Sequence, residues 1–281
     1  MRYIKSFSTS GDVQTAIDNG SLGKPYVAYI ESDGVIDWNT KEIDYSKIPL
    51  TFEIISGGTI NWKLTVGNDR SFSRTISYSK DGGNTWTEIT ASLNNNQTIQ
   101  VEAGDVLMFK GDNATYYNDI SYVAFYGSTA VFKLYGNIMS LINSTGFTGV
   151  TVITSDNALQ SMFRACTGLT SAENLVLPAT TLATSCYNNM FQGDKSLTTA
   201  PELPATTLAP YCYYYMFQGC SSLNYIKCLA TDISATNCTK YWVYGVQTNS
   251  GTFVKSPGME DWEQPGVYDN GIPTNWTVQD A

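Results

Sequence analysis

The sequence contains no histidine and few charged residues. Without histidine there is no Ser-His-Asp or Cys-His relay, and no imidazole is available to bind a metal ion. Lys, Arg, Asp and Glu together make up 15% of the chain, against about 25% in an average globular protein. Most of the surface must therefore be uncharged and polar. These absences argue against histidine-based catalysis and zinc sites, and we expect no cofactor and no metal.

The charges that are present are mainly negative. The chain has 16 basic and 25 acidic residues, a formal net charge of −9 and no cluster of lysine or arginine. The electrostatic attraction that dominates nucleic-acid binding is therefore missing. No run of about 18 apolar residues is present, and the first twenty residues lack the apolar core of a signal peptide. We expect no nucleic-acid partner, no membrane insertion and, for the sequence as given, no export signal.

What the sequence does contain is a repeat of 26 residues in its second half. Its copies lie near residues 151–176, 177–202, 203–228 and 229–254. The second and third copies are identical at 15 of 26 positions, and they open with LPATTLATSCYNNMFQG and LPATTLAPYCYYYMFQG. The first copy has two extra residues before Leu177, and the fourth is degenerate and aligns on Leu229. A fixed period predicts a solenoid, in which each unit buries its apolar columns against its neighbours.

All cysteines lie in this half of the chain. They are Cys166, Cys186, Cys212, Cys220, Cys228 and Cys238. Cys186, Cys212 and Cys238 recur at the repeat period, so we expect them to stack inside the solenoid as small buried thiols. Disulfides and a metal site are the alternatives, although no CxxC pair is present. Buried thiols fit assembly in a reducing cytoplasm.

The repeat phrase also carries a family resemblance. LPATTLA, followed by a cysteine and then by MFQG-C/D-x-SL, resembles the BspA-like leucine-rich repeats of gut Bacteroidetes and their phages. The closing WVYGV, GTFVKSPGMEDW and GIPTNWTVQDA resemble the C-terminal cap of such arrays. The resemblance covers about residues 150–281 and implies a leucine-rich-repeat solenoid with a cap. Asp194, where the next copy has Cys220, and Trp242, in place of methionine, depart from the pattern.

Tyrosines are concentrated in the repeats, with eight between residues 187 and 244. This density is typical of binding surfaces, where a rigid amphipathic ring gives contact area at little entropic cost. In CYYYMF, i, i+3, i+4 spacing in a helical or turn segment would direct Cys212, Tyr215 and Met216 inward and leave the two intervening tyrosines outward. The alternative is that individual tyrosines simply cover the core. Our candidate ligand-binding residues are Tyr187, Asn188, Tyr211, Tyr213, Tyr214 and Lys240.

The first half of the chain has no repeat. Alternating segments such as TINWKLTV and RTISYS, separated by Gly, Asn and Asp turns, predict a β-sandwich or jelly roll over residues 46–136. Within it, SKDGGNTW at 79–86 resembles the Asp-box turn of sialidase propellers, but a single copy predicts only a hairpin turn. The sequence of residues 1–45 predicts a short helix followed by a hairpin. This unit is too small to form a hydrophobic core of its own. Its GKPYVAYIESDGVIDWN resembles an attachment module of Bacteroides phage structural proteins.

The sequence therefore predicts a mainly β protein with three parts: an attachment module at 1–45, a β-sandwich at 46–136, and a BspA-like leucine-rich-repeat solenoid with its cap at 137–281. The leading functional hypothesis is a non-enzymatic phage virion surface protein, either a head fibre or capsid decoration or a tail fibre. It would dock to other virion proteins through the attachment module and bind a host-surface or mucosal glycan or protein through its repeats.

Two other classes remain as alternatives. One is a secreted Bacteroidetes cell-surface adhesin or glycan-binding protein whose leader is missing from the given sequence. The other is a glycoside hydrolase, which would need a carboxylate pair such as Glu53 with Asp119, and no motif supports that pairing. A homo-oligomer is compatible with the sequence, but no heptad pattern specifies one.

Overall fold

The computed structural model describes residues 43–65, 71–118, 120–246, 250–259, 262 and 270–281. In these residues the chain is mainly β, with fourteen strands and three short 3-10 helices. The described part contains no helix that is long and apolar enough to cross a membrane. The helix and hairpin predicted for the attachment module lie outside the described residues.

The strands are numbered in chain order. They span Leu50–Ser56 (β1), Gly58–Thr65 (β2), Arg74–Ser79 (β3), Thr87–Ala91 (β4), Gln97–Val101 (β5), Val106–Lys110 (β6), Tyr117–Asn118 (β7), Ser121–Ala124 (β8), Val131–Asn137 (β9), Leu169–Val176 (β10), Thr199–Leu203 (β11), Tyr225–Cys228 (β12), Thr252–Lys255 (β13) and Thr277–Asp280 (β14). The 3-10 helices span Tyr45–Lys47, Ile138–Leu141 and Phe147–Gly149. The strand segments predicted between residues 46 and 136 are confirmed.

Two sheets pack against each other in the first half of the chain. The larger has the strand order β10-β9-β1-β6-β3-β4 and the smaller the order β5-β2-β8-β7. Phe52 on β1 and Trp62 on β2 both contact Phe125, with ring centroids 4.8 and 4.9 Å apart. All three rings are fully buried. The cluster joins the two sheets, because Phe52 belongs to the larger sheet and Trp62 to the smaller one. Burying each side chain of this size stabilises the fold by about 1.5–3 kcal/mol.

The SKDGGNTW segment forms the turn between β3 and β4. The carboxylate of Asp81 accepts hydrogen bonds from the backbone N–H and the hydroxyl of Thr85, at 2.9 and 2.6 Å, and from the Ser79 hydroxyl at 2.7 Å. The bonds from Thr85, followed by that from Ser79, lower the pKa of Asp81 to about 2. The side chain thus closes a hairpin turn, as the sequence predicted for this segment.

In the second half, each repeat places a strand on one side of a stack of repeats. Strands β11 to β14 form a parallel sheet, and β10 pairs in parallel with β9. Tyr225 on β12 pairs with Thr199 on β11 and with Thr252 on β13. The strand register therefore follows the 26-residue period to within one residue.

On the other side of the stack, consecutive turns replace the strands. We call residues 157–166, 185–194, 211–220 and 237–246 turn segments one to four. Within a segment, backbone N–H groups alternate between two acceptors: a carbonyl three residues earlier and a carbonyl of the next segment. Met216 N–H donates to Tyr213 O at 3.0 Å, whereas Tyr213 N–H donates to Cys238 O at 2.8 Å. Backbone pairing thus joins the repeats on both sides of the stack.

These turns have a period of four residues. Tyr211 and Tyr215 have φ values of 56° and 55°, so a left-handed residue recurs at every fourth position. Side chains consequently point in alternating pairs, with Cys212 and Tyr213 directed into the core and Tyr214 and Tyr215 directed outward. The turn alternative for CYYYMF is correct and the helical alternative is wrong.

The predicted leucine column is displaced in the fourth copy. Leu203 pairs with Cys228, which is fully buried, while the neighbouring Leu229 is only half-buried. The alignment on Leu229 is therefore wrong by one residue at this strand, because Cys228 takes the core position that leucine takes in the earlier copies.

All six cysteines are free and buried, as the buried-thiol interpretation expects. The Cys220 thiol donates to Phe191 O and the Cys166 thiol to Phe125 O, each at 3.0 Å. Burial raises the pKa of Cys186 to about 12, so the thiol is the favoured form at neutral pH.

A column of stacked aromatic rings runs through both halves of the chain. It comprises Phe125, Phe163, Phe191 and Phe217, with successive ring centroids 5.9, 5.5 and 5.6 Å apart. Phe125 follows β8 of the sandwich, and its N–H donates to Met162 O at 2.9 Å. The predicted boundary at residues 136 and 137 falls within β9, which pairs with β1 on one side and β10 on the other. The two halves therefore share one sheet and one core.

Candidate binding face

The outward positions of the four turn segments have a restricted composition. The last outward position of each segment is small: Ala165, Gly193, Gly219 or Gly245. The other sixteen comprise five tyrosines, seven asparagines and glutamines, two serines, one arginine and one lysine: Asn157, Gln160, Ser161, Arg164, Ser185, Asn188, Asn189, Gln192, Tyr211, Tyr214, Tyr215, Gln218, Asn237, Lys240, Tyr241 and Tyr244. All except the two serines are half-buried or exposed. Among these sixteen positions there is no carboxylate and no aliphatic side chain, although the chain as a whole is acidic.

The five tyrosines form one continuous cluster, which we call the tyrosine face: Tyr211, Tyr214, Tyr215, Tyr241 and Tyr244. The rings of Tyr215 and Tyr241 are nearly parallel, with centroids 5.0 Å apart. The Tyr214 ring stands at 71° to Tyr215 and at 74° to Tyr241. Tyr211 and Tyr244 extend the cluster at its two ends. Rings in two orientations therefore form a packed aromatic surface across turn segments three and four.

Three of these tyrosines have an unfavourable backbone conformation. Tyr211, Tyr215 and Tyr241 have φ values of 56°, 55° and 59°. This left-handed conformation costs roughly 1–2 kcal/mol for an ordinary L-residue and is routine only for glycine and, less so, asparagine. Asn189 and Asn237 occupy equivalent positions in other turn segments. Tyrosine therefore stands where asparagine would fit the backbone with less strain.

Beside the tyrosine face lies an amide strip, consisting of Asn188, Asn189, Gln192 and Gln218. The Gln192 side-chain amide donates to the Gln218 side-chain carbonyl, and Asn189 donates to Asn188 in the same way. An amide group has two donor hydrogens and two acceptor lone pairs, so these pairs retain further hydrogen-bonding capacity. The strip extends the polar surface from the tyrosines toward turn segment two.

The two cations of the outward positions contact aromatic side chains. Lys240 Nζ lies 5.4 Å from the centroid of the Tyr241 ring, and Arg164 donates to the Tyr122 hydroxyl at 3.2 Å. A hydrogen bond with Tyr215, together with burial, raises the pKa of Tyr214 to about 12. The Tyr214 phenol is therefore protonated at neutral pH and can donate a hydrogen bond.

The predicted ligand-binding residues divide into two groups. Tyr211, Asn188, Tyr214 and Lys240 lie on the outward side, as predicted. Tyr187 and Tyr213 are each 1% exposed, and their rings stack inside the core with centroids 6.2 Å apart. The prediction that these two tyrosines point outward is wrong, because the turns have a four-residue period and not the assumed i, i+3, i+4 spacing.

Three residues of the tyrosine face were missed: Tyr215, Tyr241 and Tyr244. Tyr215 was assigned to the core. The signal that would have found two of them is the pair Gly219 and Gly245, which have positive φ near the ends of their turn segments. Counting back by four from these glycines gives Tyr215 and Tyr241.

The other candidate sites receive no support from the described residues. Asp119, the proposed partner of Glu53, lies outside them. A cavity of about 390 Å³ lies beside turn segment four and is lined in part by Asn237, Lys240 and Asn270. In the part of the chain described here, no group of three or more Cys, Asp or Glu side chains could hold a metal ion.

The tyrosine face offers groups that can bind a ligand. Phenol hydroxyls, amides and aromatic rings can contact it, and the sixteen outward positions include no carboxylate, thiol or imidazole. No protein-family model, curated protein or solved structure matches this chain.

Proposed function

We propose that the protein is a non-enzymatic recognition protein whose tyrosine face binds a host-surface or mucosal glycan or protein. The observation behind this proposal is that tyrosine occupies three left-handed positions, Tyr211, Tyr215 and Tyr241. Such positions recur in every turn segment because hydrogen bonds between repeats enforce them, and elsewhere they hold asparagine, serine, alanine or glycine. Since asparagine meets the same backbone requirement elsewhere in the stack, the need for tyrosine is explained by what the rings contact.

We further propose that the stacked repeats are a BspA-like leucine-rich-repeat solenoid. The recurring LPATTLA phrase and the 26-residue backbone register support this assignment. At the C-terminal end, Trp262 stacks on Trp242 with ring centroids 5.4 Å apart, which is compatible with a cap over the last repeat. In this architecture the rigid stack displays the tyrosine face at a fixed geometry.

The setting we propose is the surface of a phage virion, as a head fibre or capsid decoration or as a tail fibre. The support is sequence resemblance, in the repeats and in the GKPYVAYIESDGVIDWN segment. Residues 1–45 would dock to other virion proteins, and the repeats would then face the host surface.

The recognition function is tested by binding of the full-length protein to Bacteroides cells and to gastric mucin. Tyr214→Ala and Tyr241→Ala should each weaken binding by about tenfold, equivalent to about 1.4 kcal/mol. Tyr225→Ala is the matched control, because Tyr225 is a half-buried tyrosine on the strand side of the stack. Equal affinities of all three variants and the wild type would overturn the proposal.

The virion setting is tested separately by imaging phage particles with a gold-labelled antibody against the protein. Label on the capsid or tail is the expected result and would also locate the protein. Label on the bacterial envelope, with bare particles, would replace this setting with that of a secreted adhesin.

A further inference from the structure

The tyrosine face combines aromatic rings with polar groups. Tyrosine is also common at protein interfaces, but the phenylalanine, methionine and leucine side chains of the turn segments are buried inside the stack. The outward positions offer phenol rings and amides, and no aliphatic side chain larger than alanine. This combination suits a ligand that has both apolar C–H groups and many hydroxyls, which describes a sugar.

Resting on the proposed recognition function, we propose that the ligand is an uncharged oligosaccharide that extends from the tyrosine face onto the amide strip. The Tyr214 ring stands steeply to Tyr215 and Tyr241, so the cluster combines ring faces with ring edges and hydroxyls. The face of an aromatic ring carries negative charge density and attracts C–H groups. The apolar side of a sugar ring can therefore pack on a tyrosine while its hydroxyls bond to neighbouring phenols.

The amide strip determines the direction of the ligand. Equivalent residues in successive turn segments are separated by one strand spacing, about 4.8 Å. Gln192 and Gln218 occupy the same position in segments two and three, and their side chains are hydrogen-bonded to each other. Amides donate and accept, which matches the dual character of sugar hydroxyls. A ligand that contacts Gln192 in segment two and Tyr241 in segment four spans two of these spacings, about 10 Å. That distance exceeds the width of one sugar ring, so the ligand is a chain and not a single sugar.

The tyrosine face and the amide strip contain no charged side chain, which favours an uncharged chain. The two cations nearby lie outside both surfaces: Arg164 donates to Tyr122, and Lys240 lies against the Tyr241 ring. Acidic glycans are typically held by cations, and such binding weakens as salt screens the charges. Contacts made by phenols and amides depend little on salt.

The test uses the full-length protein with gastric mucin and with a panel of neutral and acidic oligosaccharides. We expect periodate oxidation of the mucin glycans to abolish binding, and we expect sialidase treatment or high salt to leave binding unchanged. Gln218→Ala should weaken binding of the longer neutral oligosaccharides by about tenfold and leave Tm unchanged. Asn224→Ala, an exposed amide on the strand side, is the matched control.

Each contrary result has a separate meaning. Binding that survives periodate oxidation would identify a protein ligand, which overturns this inference and leaves the recognition function standing. Loss of binding in high salt or after sialidase treatment would identify an acidic glycan and overturn the uncharged assignment. Full binding by Gln218→Ala would overturn the extension onto the amide strip. Absence of wild-type binding to both mucin and Bacteroides cells would instead refute the recognition function itself.

Discussion

Tyr215 and Tyr241 lie on successive turn segments with their rings 5.0 Å apart and within 5° of parallel, and both have left-handed backbone. Ring stacking of this kind contributes about 0.5–1.5 kcal/mol beyond area burial. The left-handed conformation costs roughly 1–2 kcal/mol for each of the two residues, so the cost for the pair exceeds the stacking gain. The proposed binding function explains why tyrosine occupies both positions.

Replacing these tyrosines with asparagine should separate binding from stability. Tyr215→Asn and Tyr241→Asn install the residue that Asn189 already provides at the equivalent position. We expect Tm to stay within a few degrees of the wild type or to rise, while binding to mucin or cells falls at least about tenfold. Calorimetry and binding assays on the same preparations test this. Parallel losses of Tm and affinity would show that the rings are structural.

Neighbouring tyrosines in CYYYMF should respond in opposite ways to truncation. Tyr213 is 1% exposed and stacks between Tyr187 and Trp242, so Tyr213→Ala should destabilise the protein by about 3–5 kcal/mol through the cavity it leaves. Tyr214→Ala removes an outward ring and should cost less than about 1.5 kcal/mol. Urea unfolding measures both. Similar losses in the two variants would contradict the in-and-out pairing of the turns.

Asp194 interrupts a column of buried thiols. Its equivalents in the adjacent turn segments are Cys166 and Cys220, and these thiols are the titratable groups that face it. The Asp194 carboxyl is fully buried, and neither of its oxygens has a hydrogen-bond partner among the described residues. Burial raises its pKa well above the ordinary value of 3.8. Burial therefore favours the neutral acid over the carboxylate in the folded protein.

This carboxyl should make stability depend on pH. Above pH 3.8, the unfolded chain releases a proton that the folded protein keeps, so stability falls as pH rises, with a slope approaching about 1.4 kcal/mol per pH unit. The slope ends at the raised pKa of the folded state. Asp194→Asn should remove this slope, and Asp194→Cys, which completes the thiol column, should raise stability at neutral pH. Urea unfolding across a pH series would contradict this account if the wild type and Asp194→Asn gave the same slope.

The sandwich and the stack should unfold together. Phe125 packs against Phe52 and Trp62 on one side and stacks on Phe163 on the other. We expect one calorimetric transition in the wild type, and we expect Phe125→Ala to lower stability by about 3–5 kcal/mol for the whole unit. Two transitions, with only one shifted by the substitution, would mean that the halves are independent domains.

Several features were predictable because they depend on local pattern. The alternation of apolar and polar residues predicted the strands of the first half, and the SKDGGNTW segment predicted its hairpin turn. Recurrence of Cys186, Cys212 and Cys238 predicted buried thiols. The position of Phe125 at the end of the aromatic column was not predictable, because Phe125 lies outside the repeats in the sequence. Only in the folded structure does its ring stack on Phe163 and its backbone N–H donate to Met162 O.

The amino-acid sequence by itself determined the mainly β character, the repeat period and the concentration of tyrosines, since each is a matter of composition or spacing along the chain. Tertiary structure decided which tyrosines face outward. Tyr213 and Tyr215 differ by two positions in the same short phrase, yet one is buried and the other is on the surface. The reason is that inter-repeat hydrogen bonds force the backbone into four-residue turns with left-handed residues, a geometry that depends on neighbouring repeats and is absent from any single copy.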